Sequence, residues 1–157
     1  MTTNSDNGIV RLVSRESVSE VLRRLLTILR DKGITLFAVV DHSGEAAKAG
    51  MEMHETKLVI FGKPEAGTPV MIAAPDSALD LPLKILIAER ADGGTQVSYN
   101  KPSYLQARFD LSANLVANIA AIEQIAVAIS AQNRPIRARD RFAPARLKRL
   151  PPLAIRK

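Results

Sequence analysis

The chain has 157 residues, 46% of them hydrophobic and 24% charged, with a formal net charge of +6. That is one domain's length with room for a tail. The lack of cysteine excludes disulfides, thiolate metal sites and a cysteine nucleophile, and an aromatic content of 4% without tryptophan argues against a base-stacking surface.

Met1 to Asn7 is polar and lacks the basic-then-apolar order of a signal peptide, so residues 1–7 read as a flexible N-terminus and the protein as cytoplasmic. Gly8 to Ser14 reads as a first strand. Ser17 precedes Glu20 by three positions, a capping box. Val18, Val21, Leu22, Leu25, Ile28 and Leu29 then follow at helical spacing until Gly33 stops the helix. Ile34–Val40 and Leu58–Phe61 are nearly continuous apolar runs, the pattern of central strands covered on both faces. Between them Ser43–Ala49 forms a short helix closed by Gly50.

Thr68-Pro69 has the chemistry of an N-cap followed by proline at the first helical position, which starts a helical turn and a half before Pro75. Leu83–Arg90 and Thr95–Asn100 flank Ala91-Asp92-Gly93-Gly94 as a hairpin. Its Leu83, Ile85, Ile87, Val97 and Tyr99 share the core face, and Lys84, Ser98 and Asn100 the other. Pro102 opens a short helix, and Ser112 caps a long one reaching about Gln132. Leu111–Ala131 is long enough to cross a bilayer, yet Asn114, Asn118, Glu123 and Gln124 favour a buried or interface helix over a transmembrane segment. This order of elements predicts an α+β fold, a single mixed sheet of about five strands with helices packed over it.

Four blocks carry a family resemblance: Phe37-Ala38-Val39-Val40-Asp41-His42, Leu58-Val59-Ile60-Phe61-Gly62-Lys63-Pro64, Gly67-Thr68-Pro69-Val70-Met71 and Leu79-Asp80-Leu81-Pro82-Leu83-Lys84. With Tyr99-Asn100 and Pro102 after them, they resemble the domain of unknown function 302 family over residues 8–133. The resemblance implies a small α+β domain, a homodimer, with no established activity. The family pattern has asparagine where this chain has Lys63, so no role for a side-chain amide carries over there.

His42 follows an apolar strand, stands beside Asp41 and precedes a helix, where a histidine can shuttle protons or hold an anion; the bland alternative is a helix junction capped by Asp41 or Ser43. His54 shows no metal-ligand spacing with His42, so neither metal nor cofactor is expected. The Gly62–Thr68 loop has Thr68, not lysine, after Gly67, and Lys63 comes too early, so it is no Walker loop. Asp80 and Lys84 read as an ion pair on a half-exposed strand face. The ligand-binding candidates are therefore Asp41, His42, Gly62, Lys63, Thr68, Asp80, Lys84 and Tyr99, and a pocket joining Lys84, His42 and Tyr99 would suit a small acidic ligand. No motif joins a nucleophile to a base and an orienting group, so a non-enzymatic binding module is favoured over an enzyme using His42 as acid/base and Lys84 as electrostatic stabiliser.

Residues 134–157 hold nine Lys/Arg against Asp140 alone, a charge of +8 that leaves the rest of the chain at −2. Prolines 135, 144, 151 and 152 interrupt this basic tail. Arg137, Arg139, Arg141, Arg146, Lys148 and Arg149 are its candidates for contact with nucleic acid, an anionic membrane or an acidic protein.

Overall fold

A computed structural model describes residues 7–131; the basic tail and its six candidate residues lie outside them. Strand β1 (Ile9–Ser14) leads to helix α1 (Val18–Asp31), whose Ser17 side chain accepts the Glu20 N–H at 3.2 Å. Gly33 follows with a φ of 61°, the left-handed conformation that releases the chain from the helix. Strand β2 (Thr35–Asp41), helix α2 (His42–Lys48) and strand β3 (Thr56–Gly62) come next. Helix α3 (Pro64–Ala73) passes into a 3₁₀ turn at Pro75–Leu79 and the hairpin β4 (Leu83–Glu89) and β5 (Thr95–Asn100). Helices α4 (Pro102–Phe109), α5 (Ala113–Ile119) and α6 (Ala121–Ser130) complete the described residues.

The five strands form one sheet in the order β1-β5-β4-β3-β2. The α+β class is as expected, but every pairing is antiparallel where a mixed sheet was predicted. Strand β5 of the hairpin pairs with β1, and β1 and β2, which run in the same direction, lie at opposite edges joined by the α1 crossover, so they never pair with each other. Helices α1 and α6 cover one face. There Val21, Leu25 and Leu29 meet Val59, Ile85, Ile87 and Val97 from the sheet and Ile122, Ile125 and Ile129 from α6. The hairpin faces are those expected from alternation: Ile85, Ile87, Val97 and Tyr99 are buried in this core, with Leu83 packed against it. A second cluster of Val70, Leu81, Leu105, Leu111 and Ile119 joins α3, α4 and α5 beside it.

Three further expectations are corrected. Strand β2 is an edge, not a central strand, and its Leu36, Phe37 and Val39 are 44%, 52% and 40% exposed. An apolar run records what a strand would bury, but neighbour order is decided by pairing elsewhere in the sheet. Helix α3 begins at Pro64 rather than at Thr68-Pro69, since Pro64 already supplies the preset φ of a first helical position, and Pro69 falls inside the helix. The long C-terminal helix is two helices that meet at Ala120. By length and composition Ala113–Ser130 would suffice to cross a membrane, but Ile119, Ile122, Ile125 and Ile129 are buried in the domain.

Candidate functional site

Most of the sequence candidates fall into three separate places, with Thr68 and Tyr99 apart from all three. At the β2–α2 corner the Asp41 carboxylate caps the helix, accepting from the Gly44 N–H at 2.8 Å and the Ser43 hydroxyl at 2.8 Å. Lys57 lies 2.6 Å from its second oxygen. This pair, helped by the Gly44 and Ser43 bonds, holds the Asp41 carboxyl well below the usual carboxylate range. His42 is the first residue of α2 and is exposed. His54 stands in the loop before β3, its Nδ1 3.5 Å from Glu89.

Lys84 occupies the second place. Its amine donates to the backbone carbonyls of Asp80 and Pro82, each at 3.0 Å. Burial lowers its pKa, against the opposing pull of Asp80. The Asp80 carboxylate itself faces Arg108, 3.3 Å away, instead of pairing with the Lys84 amine. The sheet register separates Lys84 from His42. Asp41 pairs with Lys57, Lys57 pairs with Ile87, and Lys84 stands three residues further along β4. That is roughly 10 Å along the strand and another 10 Å across two strand spacings. Tyr99 belongs to the helix-covered face, opposite the face of Lys84, and its hydroxyl pKa is raised by burial and then by Glu123. The structure therefore does not bring Lys84, His42 and Tyr99 into one pocket.

The third place is a cavity of about 390 Å³. It includes Gly62 and Lys63 from the sequence candidates, while Thr68 is exposed on α3 outside it. Ile34 and Phe37 form one wall, Phe61 and Gly62 at the end of β3 the floor, and Met71 with Gly67 on α3 the second wall. Leu81 and Pro82 in the loop before β4 and Leu83 at its start line another side, and Ile119 and Ile125 come from α5 and α6. The charged side chains among its lining residues are Lys32, at the C-cap of α1, and Lys63, at the N-cap of α3. Both are exposed, and neither amine has an ion-pair partner among the described residues. Asn118 adds one neutral polar side chain.

Room for a side chain remains beside both glycines of the lining. A Cβ on Gly67 would meet nothing nearer than the Met71 methyl at 4.0 Å, and one on Gly62 would lie 3.6 Å from Pro82 and 3.9 Å from Phe37. Lys32, Phe37, Met71, Asn118, Ile119 and Ile125 were not legible as site residues. Lys32 reads as a basic residue closing a helix, Asn118 as a polar interruption of an apolar helix, and the others as apolar positions of strands and helices. The one available hint was Phe37, an aromatic in a chain that has few.

The sequence model of a family described as "Domain of unknown function DUF302" matches residues 10–131. The chain belongs to the DUF302 family. A solved structure titled "Crystal structure of uncharacterized conserved protein DUF302 from Bacillus stearothermophilus" is similar to this DUF302 domain with a TM-score of 0.66. The likeness covers 79% of this chain and 96% of that one at 17% identity, and it speaks to the fold alone. Among curated proteins, "Fluoride-specific ion channel FluC 1" from Brucella suis biovar 1 (strain 1330) is 35% identical over 111 residues, 71% of this chain and 44% of that protein. The protein of the same description from Brucella abortus biovar 1 (strain 9-941) is 35% identical over the same length, 41% of its own. The DUF302 chain thus spans less than half the length of these relatives, and their ion-channel description is not carried over to it.

Proposed function

We propose that this DUF302 domain is a non-enzymatic ligand-binding module whose site is the cavity between β2, α3 and the α5–α6 junction. The observation that carries the reading is a mostly apolar cavity of about 390 Å³ with two lysines among its lining residues. That size lies within the roughly 300–1,000 Å³ of small-molecule sites. Its lining places no histidine, carboxylate or hydroxyl beside the lysines to serve as a general base, which favours binding over the His42–Lys84 enzyme. A thermal-shift and mass-spectrometry screen of small acidic and apolar compounds tests it. Binding that Gly67→Phe abolishes supports the site, and hits that Gly67→Phe leaves unchanged overturn it.

The domain works as a homodimer through the β2 side of the sheet. Leu36, Phe37 and Val39 on that edge, with Met51 and Met53 in the following loop, are large apolar side chains left exposed in one chain. Leu36→Lys with Val39→Lys is expected to give a monomer in sedimentation; a wild-type chain already monomeric at micromolar concentration overturns this. The tail binds polyanions through Arg137, Arg139, Arg141, Arg146, Lys148 and Arg149, and its affinity for RNA or anionic vesicles falls steeply with salt. Flat, weak binding to both across a salt titration refutes that role.

A further inference from the structure

We infer that the ligand of the cavity is a medium-chain aliphatic carboxylate, its chain among the apolar side chains and its carboxylate held by Lys32 and Lys63. The inference rests on the ligand-binding reading and adds the chemical class. The side chains that line the space are mostly hydrocarbon, with Phe61, Met71 and Ile119 from three different elements. Water in such a space finds few hydrogen-bond partners, so an apolar group displaces it favourably. At the liquid volume of a water molecule, about 30 Å³, a space of 390 Å³ takes roughly a dozen non-hydrogen atoms. An eight- to ten-carbon acid meets that size, and a two-chain membrane lipid exceeds it.

Charge decides the head group. The lining residues include two cations and no carboxylate. An ammonium or a second cation at the mouth would be repelled, and a neutral alcohol would leave both amines without a partner. The same argument disfavours the chain's own basic tail as the occupant. The tail has apolar residues at Leu147, Leu150, Leu153 and Ile155, but its nine Lys/Arg would approach two more positive charges.

Isothermal titration of the full chain with octanoate, octan-1-ol and octylamine tests the assignment. One octanoate per chain is expected, with octan-1-ol roughly fivefold weaker, the scale of exposed ion pairs, and octylamine weaker still. In Lys32→Gln with Lys63→Gln the preference for octanoate over octan-1-ol disappears, while the alcohol binds as before. Gly67→Phe, whose added ring enters the space beside Met71, removes octanoate and octan-1-ol alike; a thermal melt confirms that this variant is folded. Equal affinity for octanoate and octan-1-ol, or a preference that survives the double variant, overturns the carboxylate assignment and leaves the cavity as a neutral-ligand site. No binding of any of the three overturns both readings. An affinity that falls as protein concentration rises identifies a second copy of the chain as the occupant and overturns the assignment as well.

Discussion

The two sides of the helix-covered sheet face are built to different tolerances. Under α1 and α6, Val21, Leu25, Val59, Ile85, Ile87, Val97 and Ile129 are wholly buried against one another. Beside them the cluster of Val70, Leu81, Leu105, Leu111 and Ile119 is smaller, and between it and β2 the 390 Å³ cavity is left unfilled. One side supplies the stability that the other forgoes, which is how a small domain can keep an apolar site open.

The sharpest way to break this contrast is truncation on each side. Leu25→Ala removes a side chain with no exposed surface and is expected to cost about 2–5 kcal/mol in denaturant unfolding. Ile119→Ala, buried in the smaller cluster beside the cavity, should fall at the lower end of that range, about 2 kcal/mol, because it belongs to the smaller of the two clusters. Equal losses would mean that the two sides are packed alike. Gly67→Ala has the opposite sign. The added methyl finds room and a helical glycine is replaced, so unfolding should show a gain of about 0.5–1 kcal/mol. The same variant should weaken octanoate binding.

Acid titration sharpens the picture at the β2–α2 corner. The folded state holds the Asp41 carboxyl below its ordinary value, chiefly through Lys57. Its contribution to stability is therefore complete above the unfolded value of about 3.9 and is lost as pH falls through the lower folded value. Asp41→Asn keeps an oxygen for the Gly44 N–H but loses the attraction to Lys57. Its melting temperature should lie below wild type at neutral pH and converge with it in strong acid. A difference that persists unchanged at low pH would assign the effect to the helix cap alone. The smallest effect belongs to the tail: a chain ending at Asn133 should change in unfolding free energy by less than about 0.5 kcal/mol. A larger loss would show that the tail covers one of the two regions.

Local chemistry made much of the fold readable. Ser17 and Glu20 start α1 where the capping box places them, Gly33 ends it, and the hairpin residues alternate between faces as a period of two requires. The family is carried by short blocks in fixed order and was equally legible. Gly62 and Lys63 were singled out as part of a loop, yet their partners in the cavity come from five other segments. Periodicity reports which side of an element is apolar and says nothing about what arrives to meet it.

By itself, then, the sequence determined the elements, their apolar faces, the family and the concentration of positive charge in residues 134–157, because each depends on neighbours close along the chain. Tertiary structure alone decided that β2 is an edge and that the apolar C-terminal stretch breaks at Ala120. It also decided that His42, Lys84 and Tyr99 stand apart while Lys32 and Lys63 share one cavity. Those outcomes depend on strand order and helix docking, where residues distant along the chain compete for the same surface.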